Sequence, residues 1–436
     1  MAEPAVGRPA ATALKLPAAL ALMVASGFAA LACQIIWTQQ TAIWLGHETT
    51  AVLAVVGAFF AGLAVGAFAL GRRVEVSAQP ARWYAACELV IGAWGLALVF
   101  LIAPAGQALL ELTGEQPSIV WQWSLAFVGT FLLLLPATAA MGATLPALER
   151  VLARQSASGT ALAGLYAANT FGAVLGVLAA AFWLVPAFGL ARTAVACAAL
   201  NLICAGATLW LFRGRAARAA PTPMTAHAPG LIPLLALTGL LGIGYEVLVV
   251  RVLRQMAENT VYTFAMLLAV YLVGTALGAA AYQRWLVRRA QTGALGEKLL
   301  LALAIACLLG TASLWMAEAL KAAVLQVVGS GLVAALGAEA TLAAVAFLLP
   351  TVVMGALFSH LCTQALASGL GFGRALAVNT LGAAAAPFLF GVLIAPAAGP
   401  KAALLLVVAG YLLLALRLPR FSLPAAATAA ATLALA

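Results

Sequence analysis

Three carboxylates interrupt long apolar runs in this sequence: Glu88, Glu246 and Glu339. A carboxylate in hydrocarbon is costly, so each needs a partner, a bound cation or a proton. Glu246 carries the most information. It follows Tyr245 in the run TGLLGIGYEVLVVRVLR, from Thr238 to Arg254, which also holds Arg251 and Arg254. Such a set can recognise charge on a small solute, relay a proton, or pair within the protein. Glu246 and Arg251 are five residues apart, about 500° of helical rotation, so their side chains point about 140° apart. The partner of Glu246 is therefore a group on another helix, a cation or a proton, unless the side chain snorkels to an interface. Glu88 faces the same choice.

The segments that carry these groups are membrane spans. The chain has 436 residues, 65% of them hydrophobic and only 8% charged. Soluble domains carry about 25% charged residues. The shortage runs along the whole chain, which marks a polytopic membrane protein in contact with a lipid bilayer. The net charge of +10 reflects basic loops held on the cytoplasmic side, not a nucleic-acid surface. The six cysteines lie in apolar segments without CxxC spacing and read as buried packing thiols.

Apolar runs of about 20 residues predict twelve spans. The first six run near 17–40, 51–70, 83–104, 119–145, 161–187 and 192–212. Six more run near 231–252, 261–283, 298–317, 331–358, 374–396 and 400–416. They divide the chain into a cytoplasmic tail (1–16), a six-helix repeat (17–212), a basic linker (213–230), a second six-helix repeat (231–416), and a basic turn with an apolar C-terminal segment (417–436), either a short interfacial segment or a truncated thirteenth span. With the N-terminus inside, the outer side receives Arg192, Arg251, Arg254, Lys321 and Lys401, which leaves 17 of the 22 basic residues inside. That bias places both ends of the twelve-span core in the cytoplasm of a bacterial inner membrane.

The halves repeat. Gly27, Gly62, Gly66 and Arg72 recur 212 positions later as Gly239, Gly274, Gly278 and Arg284. Met141-Gly142-Ala143 recurs at Met354, Asn169-Thr170 at Asn379-Thr380, and Pro186…Gly189 at Pro396…Gly399. Six spans is an even number, so the halves share one orientation. The expected fold is all-α, two parallel six-helix repeats of major-facilitator type, with a central cavity between the halves. Gly62-xxx-Gly66 and Gly274-xxx-Gly278 read as close helix contacts. Asn169 and Asn379 need hydrogen-bond partners at that depth, through helix packing or a ligand. Gln34 and Gln39 stand in the first half where Glu246 and Arg251 stand in the second, so one copy is charged and the other neutral. No phosphate-binding loop, dinucleotide fingerprint, metal spacing or hydrolase elbow occurs, so no cofactor and no catalytic residue is expected.

The motifs SGFAAL, VLAVVGAFFAGLAVGAFALGRR and MGATLPALERVLAR followed by GLYAANTFGAVLG give the chain a resemblance to a known family. It resembles the membrane part of bacterial fused major-facilitator/spermidine synthase proteins. The likeness covers most of residues 20–215 and recurs more loosely over 235–415. The family pattern leads to Tyr-Glu and Arg where the first half has Cys33-Gln34 and Gln39. Family members also carry a soluble aminopropyltransferase-like domain, and residues 1–436 contain none. The resemblance implies a transporter-like protein that handles polyamines or another small cationic metabolite. Glu246, Glu88, Tyr245, Asn169 and Asn379 would bind substrate, with Arg251 and Arg254 in charge pairing. The alternative is a non-transporting membrane platform for a synthase domain, fused or separate.

Overall fold

In hydrocarbon every backbone N–H and C=O must be satisfied within the chain, so apolar segments of this length fold as helices. The computed structural model describes residues 15–45, 48–152, 160–212, 230–256, 261–286, 294–329, 331–416 and 432. Most of the tail 1–16, the linker and the C-terminal segment expected from the sequence lie outside the described residues. The first group of helices is α1 (Lys15–Leu45), α2 (Glu48–Glu75), α3 (Pro80–Thr113), α4 (Ile119–Leu152), α5 (Thr160–Ala179) and α6 (Val185–Leu211). The second is α7 (Leu231–Met256), α8 (Val261–Ala281), α9 (Leu295–Leu314), α10 (Ala317–Val328), α11 (Leu332–Ala367), α12 (Phe372–Ala386) and α13 (Ala395–Leu416). Among the described residues, 10 helical segments are long and apolar enough to cross a membrane.

Two of those segments are far longer than the rest, at 48 residues (Gly164–Leu211) and 45 residues (Phe372–Leu416). Both contain a π-helical stretch, Ala180–Leu184 and Pro387–Ile394. Pro186 and Pro396 lie just beyond these stretches. A proline lacks the N–H for the normal helical bond and crowds the carbonyl four residues back, which a wider turn relieves. Three residues later the backbone leaves the helical region altogether, at Gly189 (φ 78°, ψ 169°) and Gly399 (φ 82°, ψ 156°). Only glycine adopts that conformation without strain.

Packing follows the small residues. A Cβ on Gly66 of α2 would collide with the Ala139 carbonyl oxygen of α4, and one on Gly278 of α8 with the Val352 carbonyl oxygen of α11. One turn earlier, Gly62 faces the Thr138 hydroxyl and Gly274 the Thr351 hydroxyl. Those hydroxyls bond back along their own helices, Thr138 to the Leu134 carbonyl (2.9 Å) and Thr351 to the Phe347 carbonyl (2.8 Å). No polar group is left facing the neighbour. Gly27 of α1 likewise meets the Asn169 carbonyl of α5, as Gly239 of α7 meets the Asn379 carbonyl of α12. Between these groups, α2 lies along α12 and α5 along α8.

Large apolar side chains also cover the outside, among them Phe100 (73% exposed), Ile203 (65%) and Leu413 (59%). An apolar exterior of this kind suits lipid. The connection expected between the ninth and tenth spans is not a loop. It forms α10, whose 12 residues are too few to cross a membrane, and which carries Glu318 and Lys321 in its first half and apolar, exposed Val327 and Val328 at its end. That pattern suits a helix lying at an interface.

Candidate functional site

The glycine contacts draw α1, α2, α4 and α5 together on one side and α7, α8, α11 and α12 on the other. Between them lies a cavity of about 280 Å³, lined by residues from all eight helices. Its walls are largely apolar, with Phe59, Phe60, Leu63, Ile243 and Leu268. Hydroxyl groups are scattered over the wall, and Gln34, Asn169, Thr238, Glu246, Tyr271 and Asn379 are among its polar groups.

Aromatic pairs join the two groups of helices near both ends, and one of them, Tyr166 with Phe358, is part of the cavity wall. At the end where α5 starts and α11 finishes, Tyr166 packs on Phe358 with ring centroids 6.0 Å apart. At the opposite end Phe182 packs on Tyr262 (5.1 Å) and Phe127 on Phe388 (5.8 Å). At the Tyr166 end, the Glu75 carboxylate at the end of α2 also takes a hydrogen bond from the Gly373 N–H in the first turn of α12.

Glu246 is the charged group on the wall. It is only 7% exposed, and it has no hydrogen bond or ion pair with any other described residue. Tyr271 of α8 lines the same cavity and lies within electrostatic reach of it. It does not snorkel; it faces the enclosed space. A buried carboxylate without a partner is costly as an anion, so it favours a cation or a proton at this position. Arg251 is not its partner, as the helical geometry requires. Its Nη1 donates to the Gly391 carbonyl at 2.9 Å.

Glu246 also lines a second, much smaller space of about 30 Å³, shared with Arg251, Arg254, Leu53, Phe264 and Gly391. Beyond it is a vestibule of about 610 Å³ lined by Arg251, Arg254, Gln255, Trp123 and Ser124. Vestibule, neck and cavity thus form a series, with the guanidinium groups at the first junction and Glu246 at the second.

The other residues singled out from the sequence fall in different places. Asn169 and Asn379 both reach the cavity wall, and Asn379 Nδ2 also donates to the Leu235 carbonyl of α7 (3.0 Å). Tyr245 turns away from the cavity, because neighbouring residues on a helix point about 100° apart. It is fully buried, and its hydroxyl donates to the Ala346 carbonyl of α11 (3.0 Å). Glu88 is fully buried behind the wall and accepts a 2.6 Å hydrogen bond from the Ser26 hydroxyl. Ser26 itself lines the cavity. Glu339 accepts from Thr263 (2.9 Å), tying α11 to α8.

Sequence reasoning missed Tyr271, which no spacing distinguishes from its apolar neighbours. It also singled out no histidine. His360 in fact sits 3.3 Å from the Tyr282 hydroxyl and 3.0 Å from the Gln364 amide, and the four-residue step from His360 to Gln364 was a signal for the second contact. No known family model matches this chain, and no curated protein is similar to it.

Proposed function

We propose that this protein is a transporter-like membrane protein of two parallel six-helix halves, and that the central cavity binds a small solute through an ammonium group on Glu246. The observation that carries the reading is Glu246 itself, a nearly buried carboxylate with no partner among the described residues, facing an enclosed cavity between helices of both groups.

Twelve crossings follow from length. A helix of 48 residues is about 72 Å long at 1.5 Å per residue, against about 30 Å of hydrocarbon. The breaks at Gly189 and Gly399 support reading each long segment as two crossings. The matching glycine contacts support a repeat: α2 on α4 is equivalent to α8 on α11, and α1 on α5 to α7 on α12. The inner-membrane location, with both ends of the core cytoplasmic, rests on the charge bias of the loops.

The likeness to spermidine synthase fusions adds a polyamine as the candidate solute. One carboxylate neutralises one ammonium group, so a ligand with a single ammonium suits the cavity better than spermidine does. Purified protein in liposomes, offered labelled putrescine, spermidine and single-ammonium amines, tests the reading. Uptake by wild type that is lost in Glu246→Gln is the expected result. Absence of uptake of every amine would overturn it in favour of a membrane platform for a synthase.

A further inference from the structure

Glu246 borders two spaces, and the smaller one changes what the larger can hold. The neck of about 30 Å³ is lined by Glu246 and Arg251 together. Arg251 spends one of its five donors on the Gly391 carbonyl. That bond fixes the guanidinium at the junction with the vestibule. Arg254 lines the same neck and is already engaged within the protein. A bare cation resting on Glu246 would therefore sit beside a fixed positive charge. The neck has room for about two water-sized groups, which suits a carboxylate head but not a whole molecule. The body of the ligand then has to lie in the apolar central cavity.

Building on the cavity reading above, we propose that the ligand is a small zwitterion with an apolar side chain, an amino-acid-like molecule. Its ammonium group sits on Glu246, its acidic group points into the neck toward Arg251, and its side chain lies among Phe59, Phe60 and Ile243. Although the two side chains leave the helix about 140° apart, both reach the lining of the same neck, so a ligand lodged there meets both charges. The asymmetry between the halves has the same sense. Gln34 lines the cavity opposite, neutral where Glu246 is charged, so the cavity holds a single recognition centre rather than two.

The test compares three probes with one carbon skeleton: leucine, 3-methylbutylamine, which lacks the acid, and 4-methylpentanoate, which lacks the amine. Binding to purified wild-type protein is measured by thermal shift and calorimetry. Leucine is expected to bind at least tenfold tighter than either fragment. Arg251→Gln should bring leucine to the level of the amine, and Glu246→Gln to the level of the acid. If the amine binds as tightly as leucine, the zwitterion is wrong and the ammonium reading stands. If the acid binds tightest, Glu246 is not the anchor and both readings fall. If none of the probes binds while putrescine does, the zwitterion is again overturned. The wild-type series decides the matter even if a variant fails to fold.

Discussion

Tyr166 of α5 and Phe358 of α11 meet with ring centroids 6.0 Å apart, across the line between the two groups of helices. Both rings line the central cavity, so the pair is part of its wall at a seam between the two groups. An aromatic pair contributes about 0.5–1.5 kcal/mol beyond its buried area. Removing one ring should shift the balance between closed and open forms about two- to tenfold. The measurement is the labelling rate of a cysteine placed on the cavity wall, Met141→Cys, by a polar thiol reagent. The rate is expected to rise by that factor in Tyr166→Ala. Trp183→Ala, which removes a ring that is 64% exposed on the outside, should leave it unchanged. Equal rates in all three would mean that this pair does not close the cavity.

The Ser26–Glu88 hydrogen bond predicts a stability effect. Glu88 is fully buried, so loss of the Ser26 hydroxyl leaves a carboxyl oxygen without its 2.6 Å donor. Ser26→Ala should cost about 1–3 kcal/mol. In a Glu88→Leu background the same change should cost almost nothing, because the group it satisfies is gone. Denaturation of the four proteins of this cycle in detergent measures the coupling. Additive effects would show that the two residues act independently.

Glycine substitutions should sort by what they meet. Gly66→Ala drives a methyl group into the Ala139 carbonyl, which belongs to backbone and cannot turn aside. Gly62→Ala meets the Thr138 side chain, which can rotate at some cost. Gly95 has nothing within 4 Å. The yield of monodisperse protein should fall in the order Gly95→Ala, Gly62→Ala, Gly66→Ala, with the first close to wild type. A large loss in Gly95→Ala would contradict the packing described.

Much of this was legible in the sequence. Apolar runs marked the helices, and the paired glycines marked the contacts of α2 with α4 and α8 with α11, because close approach leaves a chemical trace in the chain. Rotation about one helix separated Glu246 from Arg251 before any coordinates were needed. What the sequence could not give was depth and direction across helices. Glu88 and Glu246 look alike in a linear chain, yet one is walled in behind Ser26 and the other faces the cavity. Tyr245 looked like a companion to Glu246 and instead ties α7 to α11. The neck exists only because Leu53, Arg251 and Gly391, from three distant segments, come together.

The most direct test of the central claim is the map of carboxylates that react with a water-soluble carbodiimide, read by mass spectrometry. Glu111 in the last turn of α3 and Glu115 just after it, both exposed, serve as positive controls. Glu246 should react although it is 7% exposed, because the space it faces can hold water and solute, and a transported amine should protect it. Glu88 should not react. Labelling of the two control carboxylates with none at Glu246, or labelling of Glu246 that no amine or amino acid suppresses, would contradict its place as the charge-recognition group of a ligand cavity.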